Sequence, residues 1–254
     1  MLAEPYFTTA PGMKPRPARS RAQLKTDVQS ALAALKRKSS KAVRDGLARY
    51  GIPSDHALGV PMNQIQQLAK QLGPDHELAE ALWDTGIYEA RLLVAYIGEP
   101  ERLTVAQMDA WCRDFDNWAV VDTLCFVLFN QTPLAWGRVT PWVKNPEEFV
   151  RRAGFALLAC LSGPRKEGGD GLFLKALPLI ERGAADERNF VKKGVSWALR
   201  MIGRRNAPLN TAAVELSRRL AESTQPSARW IGKTALKELT SPAVLRRLPP
   251  KRKG

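Results

Sequence analysis

Phe149-Val150-Arg151-Arg152-Ala153-Gly154-Phe155-Ala156-Leu157-Leu158 recurs 41 residues later as Phe190-Val191-Lys192-Lys193-Gly194-Val195-Ser196-Trp197-Ala198-Leu199. A weaker third copy, Ser227-Ala228-Arg229-Trp230-Ile231-Gly232-Lys233-Thr234-Ala235-Leu236, follows after a further 37 residues. In each copy basic residues sit in the second helical turn and small or apolar residues follow. A period of about 40 residues, with two helices per unit, marks a solenoid in which a helix pair buries its apolar side only against the next pair.

The chain on either side is read in the same way. Apolar spacing predicts helices at roughly 21–38, 41–50, 61–72, 76–83, 88–97, 105–115 and 118–129, then 146–161, 171–182, 187–203, 211–222 and 227–240. Asn145-Pro146-Glu147-Glu148 offers an N-cap, a proline at the first helical position and a capping-box glutamate. Asp116-Asn117 and Asp186-Glu187 offer side chains that accept from free N–H groups at two further helix starts. Alternating strand patterns are almost absent. The expected fold is all-α, an α-solenoid of HEAT-like antiparallel helix pairs with a concave binding surface, over residues 21–241. A basic arm with four prolines precedes it (1–20), and a basic tail follows (242–254).

Charge points to the partner. The formal net charge is +14, but residues 1–40 and 242–254 carry +11 of it. Within the body, residues 41–145 total −4 and residues 146–241 total +7, which places a folded anion-binding surface in the C-terminal half. Arg151, Arg152, Lys192, Lys193 and Arg229 recur at the repeat period and would form one row along the groove. A solvated face is the alternative.

Other function classes are excluded or left without support. Cys112, Cys125 and Cys160 are far apart in apolar stretches, as reduced core thiols are. Two histidines and no ligand-spaced cluster argue against a metal site, so no metal and no cofactor are expected. There is no phosphate-binding glycine loop and no serine–histidine–aspartate order. Residues 1–21 lack the apolar core of an export signal, and no run of about 18 apolar residues occurs, so a soluble, cytoplasmic protein is expected.

One segment stands out chemically: Asp116-Asn117-Trp118-Ala119-Val120-Val121-Asp122-Thr123-Leu124-Cys125. Trp118 and Asp122 lie four apart on one helix face, and Asp122 is a carboxylate within an apolar run, where it needs a partner. On its own the pattern also suits a core tryptophan and a hydrogen-bonded aspartate.

Together with three other segments it resembles the DNA alkylation repair glycosylases of the AlkD family, which are HEAT-like repeat proteins. Tyr50 followed by Leu58-Gly59-Val60 is similar to the family's Tyr and Leu-Gly-Ile. Trp118 and Asp122 look like its Trp-x-x-x-Asp, Arg152 matches an arginine before a small residue, and Phe190, Lys193, Trp197 and Arg200 match Phe-x-x-Lys-x-x-x-Trp-Ala-Leu-Arg. Ala119 stands where the family often has a second acidic residue, and Asn189-Phe190 where some members have an aromatic pair.

The resemblance implies a monomeric, nucleoid-associated bacterial enzyme. It would excise cationic N3- or N7-alkylated purines, such as 3-methyladenine and 7-methylguanine, from double-stranded DNA without enclosing a flipped base in a pocket. Asp122, Trp118 and Trp197 would be the catalytic set. Tyr50, Arg151, Arg152, Phe190, Lys192, Lys193, Arg200 and Arg229 would contact DNA, with Arg152 clamping a phosphate. Branches of the superfamily lacking the Trp/Asp/Trp set bind DNA without cleaving it. A noncatalytic binder of DNA structures is therefore the first alternative, and a scaffold holding an acidic peptide the second.

Overall fold

The computed structural model describes residues 19–163 and 169–248. Most of the expected arm (1–18) and the end of the expected tail (249–254) lie outside the described residues. Of the arm, Arg19 and Ser20 are described, and both are fixed: Arg19 pairs with Asp75, Asp27 and Glu77, and Ser20 caps the first helix.

The described residues are helical with short connections, as the periodicity predicts, and divide into two compact units. The first contains α1 (Arg21–Lys36), α2 (Lys41–Gly46), a 3₁₀ turn (Leu47–Tyr50), α3 (Met62–Leu72), α4 (His76–Trp83), α5 (Tyr88–Ile97) and residues 127–132. Its core is built from Leu35, Ile65, Leu82, Trp83, Leu93 and Ile97, all buried, where α1 and α5 pack on α4 and α3 packs on α5.

The second unit contains α6 (Val105–Arg113), α7 (Trp118–Thr123), α8 (Ala135–Val143), α9 (Glu148–Leu161), α10 (Asp170–Gly183), α11 (Asn189–Gly203), α12 (Ala207–Ala221), α13 (Pro226–Leu239) and α14 (Pro242–Leu245). The repeat seen in sequence is the repeat of helix pairs α8/α9, α10/α11 and α12/α13. Each first helix packs on its second, while α9, α11 and α13 pack in series.

The loops repeat as faithfully as the helices. Asn145 Oδ1 accepts from Glu147 N (2.9 Å), Asp186 Oδ1 from Arg188 N (3.1 Å) and Ser223 Oγ from Gln225 N (3.2 Å). These three acceptors stand at the same offsets as the helices. Each makes the tight turn between paired helices, and none is an N-cap: the capping positions are Glu147, Arg188 and Gln225, without side-chain capping bonds. The expected caps at Asn145 and Asp186 are corrected accordingly, whereas Asn117 does cap α7, accepting from Ala119 N and Val120 N.

Other elements differ too: the helix expected over 41–50 is α2 followed by a 3₁₀ turn, and α14 opens the expected tail. α8 escapes the sequence reading because Gly137 and Pro141 interrupt its pattern, yet Ala135, Val139, Trp142 and Val143 are buried on one face. α12 starts at Ala207 because Pro208 falls in the first turn, where a missing N–H costs nothing. The segment expected as one helix over 118–129 is α7, followed by a wide π-type turn over Leu124–Leu128 and a 3₁₀ turn.

Two glycines at one repeat position allow α9 and α13 each to meet the end of its partner helix. A Cβ on Gly154 would lie 2.5 Å from Val143 N, and one on Gly232 would run into Ala221 N and, at 2.6 Å, the carbonyl carbon of Leu220. Backbone cannot yield as a side-chain tip can. Gly232→Ala is therefore expected to cost about 1–3 kcal/mol by overpacking. Gly137→Ala, in a helix with nothing within 4 Å of the new methyl, should gain about 0.5–1 kcal/mol. Thermal or urea unfolding of the two variants checks both signs.

Candidate functional site

Asn117 sets the start of α7, and that start fixes Trp118 in its first turn and Asp122 one turn on, on the same face. From α9, Arg152 reaches across with two parallel bonds: Nε to Asp122 Oδ1 (3.0 Å) and Nη2 to Asp122 Oδ2 (2.7 Å). Its third nitrogen, Nη1, donates to the carbonyl of Phe190 in the first turn of α11 (2.6 Å). The guanidinium carbon also lies 6.0 Å from the centroid of the Trp118 ring. One buried arginine thus ties α7, α9 and α11 together. Arg152 was expected to clamp a phosphate; here all three of its nitrogens donate within the protein, and the residue is 5% exposed.

Asp122 keeps 23% of its side chain exposed. Burial pushes its pKa above the ordinary aspartate value, and the charge and hydrogen bonds of Arg152 pull against that rise. Each oxygen accepts one bond from Arg152 and retains lone-pair capacity for another donor. The group is a carboxyl held in one orientation by Arg152 and partly exposed.

Trp197, on α11, is half-buried and lies one turn beyond Lys193 on the same helix face. Phe190 is half-buried against Phe149, ring centroids 5.5 Å apart, and Lys193 Nζ lies 6.0 Å from the Phe190 ring. Lys192 Nζ lies 5.2 Å from the ring of Trp230 on α13.

The basic row expected from sequence separates into two registers. Arg151 and Arg229 are repeat equivalents that brace the loops. Arg151 donates to the Val143 carbonyl (2.9 Å) and pairs with Asp186 (3.0 Å), while Arg229 donates to the carbonyls of Ser223 (3.0 Å) and Thr224 (3.2 Å). Arg200 pairs with Glu238 (2.7 Å). The next register holds Arg152, Lys193 and Trp230, of which Lys193 and Trp230 are exposed. Tyr50 belongs to the first unit and is 66% exposed.

The Leu58-Gly59-Val60 segment after Tyr50 is anchored by a residue that sequence reasoning missed. The buried carboxylate of Glu89 accepts from all three N–H groups, at 2.8, 2.6 and 3.1 Å. Gly59 has φ +81°, and a Cβ there would clash with the Ser40 carbonyl, so glycine is required. Phe149, Asp186 and Trp230 were also missed. Trp230 could have been found, since the repeat alignment puts it in the register of Arg152 and Lys193.

The three cysteines are free and buried, and burial pushes the Cys112 and Cys125 thiols up, which keeps them unreactive. Among the described residues no group of three or more His, Cys, Asp or Glu could hold a metal ion, and no helix is long and apolar enough to cross a membrane.

A family model described as DNA alkylation repair enzyme matches residues 31–239. The chain belongs to that family. A solved structure described as "a new family of proteins related to the HEAT-like repeat DNA glycosylases with affinity for branched DNA structures" superposes with TM-score 0.74. It is 20% identical, over 89% of this chain and 98% of that one. At that identity the likeness shows the HEAT-like repeat fold of the DNA alkylation repair chain, and the fold alone. A designed armadillo repeat protein, 12% identical over 88% of this chain and 96% of that one, reaches only 0.34. Among curated proteins no sequence matches.

Proposed function

We propose that the protein is a monofunctional DNA glycosylase that releases cationic N3- or N7-alkylated purines from duplex DNA and leaves an abasic site. The observation that carries this reading is the Asp122 carboxylate, held on both oxygens by buried Arg152 beside Trp118 and partly exposed.

The chemistry follows from the charge of the substrate. A purine alkylated at N3 or N7 is formally cationic, so it departs neutral and needs no acid to protonate it. As the C1′–N bond lengthens, positive charge develops on the deoxyribose. A preorganised anion lowers the energy of that state, and its remaining lone pairs orient the water that completes hydrolysis. Trp118 and Trp197 present electron-rich faces to a cationic centre, worth about 0.5–2 kcal/mol per contact. Lys192 and Lys193 supply phosphate contacts. Arg152 acts through Asp122 as a positioning residue.

A side-by-side assay on duplexes carrying 7-methylguanine, 3-methyladenine, uracil or hypoxanthine, with borohydride present, tests the reading. The two methylated bases should be released, the two neutral bases should be inert, and no protein–DNA adduct should be trapped. Uracil release at a rate comparable to 7-methylguanine, or a trapped imine, would overturn it.

A second reading rests on the superposed structure described by its affinity for branched DNA: this chain would bind DNA junctions without cleaving a glycosidic bond. Tight junction binding with no base released from any methylated duplex would favour that reading over the first.

A further inference from the structure

The two lysines of α11 stand beside aromatic rings, and one of those rings has no part in the core. α13 packs through Ala228, Ile231, Gly232, Ala235 and Leu239, all buried, whereas Trp230 between them is 41% exposed. An outward indole forgoes the burial that makes tryptophan valuable to a core. In the repeat register its position is that of Arg152 and Lys193. Where the earlier pairs place a cation, the last places a flat ring and receives its cation from α11, Lys192 Nζ at 5.2 Å.

We propose that Lys192 and Trp230 form a site for one unpaired nucleotide, its base stacked on the indole and its phosphate against the ammonium. A nucleotide offers the two features that the pair matches, a π face and an anion. Cation–π attraction keeps the lysine at the ring, and its flexible stem lets the ammonium move aside to the phosphate as a base stacks. Stacking on aromatic side chains tolerates any base, because every base has a π face. In a closed duplex those faces are covered by neighbouring base pairs. The site therefore selects duplex DNA with an unpaired nucleotide, as at a gap or flap. This inference rests on the DNA-binding half of the proposed function and is independent of the hydrolytic half.

The test uses the full chain and two unmodified DNAs of equal length, a relaxed, covalently closed circular duplex and the same circle with a short single-stranded gap. Wild-type protein should bind the gapped DNA more tightly. Trp230→Ala should lose about tenfold on the gapped DNA, within the roughly 5- to 150-fold range of base–aromatic stacking, and little on the closed duplex. Trp230→Phe, which keeps a ring, should retain most of the preference. Lys192→Ala should weaken binding to both DNAs and flatten the log affinity against log salt slope by about 0.9.

Equal loss on both DNAs in Trp230→Ala would mean that the indole lies along the paired backbone, and no loss on either that it lies outside the interface. Both results overturn the site, as does wild-type binding with no preference for the gap. Gap preference without release of methylated bases would remove the glycosylase reading and leave this one standing. Release without gap preference would do the reverse, and failure to bind either DNA would remove this site.

Discussion

Asp122→Asn is expected to release 7-methylguanine about 10²–10³-fold more slowly than wild type at saturating protein, the scale on which removal of one preorganised electrostatic group slows a reaction. The side chain keeps its size, so the surface that meets DNA should be unchanged and affinity for the methylated duplex should stay close to wild type. What disappears is the negative charge that the proposed mechanism sets against the sugar. The amide also turns one N–H group toward the guanidinium of Arg152, which now finds an acceptor on one side only. A modest loss of stability should accompany the loss of rate, and thermal melting will separate the two: the variant should be folded and bind at the assay temperature. Single-turnover release near the wild-type rate in a folded, DNA-bound Asp122→Asn would remove Asp122 from the chemistry.

The helical class, the three-pair repeat and the capping of α7 were legible in the sequence because each depends on local pattern. α8 was not, because Gly137 and Pro141 count against a helix locally, and only burial of Trp142 and Val139 against neighbouring helices outweighs them. The candidate carboxylate was legible for a similar local reason, as a lone charge in an apolar helix. The role of Arg152 was not, because its direction depends on where α7 and the Phe190 carbonyl lie, 30 and 38 residues away in sequence. The periodic basic residues illustrate the same limit. Arg151 and Lys192 share one repeat position, yet the first meets an acidic residue of the following loop, Asp186, and the second meets the exposed ring of Trp230. Periodicity finds the position but not what stands opposite it.

Arg152→Gln tests the pair from its other side, through pH. Asp122 carries two opposing influences, burial raising its pKa and Arg152 lowering it. Removing the guanidinium leaves burial unopposed, so the folded-state pKa rises further above that of the unfolded chain. On the proposed mechanism base release requires the carboxylate and should fall as pH drops through this pKa. The acid limb of the rate profile should therefore move to higher pH in the variant, with the deficit relative to wild type largest in acid and smallest in base. Stability should respond in the opposite sense. A carboxyl whose folded pKa is raised favours the fold while protonated, and that contribution is lost as pH rises through the folded pKa. The variant also loses its bond to the Phe190 carbonyl at every pH. Its total cost at neutral pH should stay below the about 3–5 kcal/mol of breaking a fully buried pair, because Asp122 is partly exposed and can take up a proton. The stability gap between wild type and Arg152→Gln should then narrow as pH is lowered from about 8 to about 5. Urea unfolding across that range, alongside single-turnover release, reads both trends. A gap that does not change with pH, together with an acid limb that does not move, would show that Arg152 leaves the ionisation of Asp122 unaffected and acts only by joining α9 to α11.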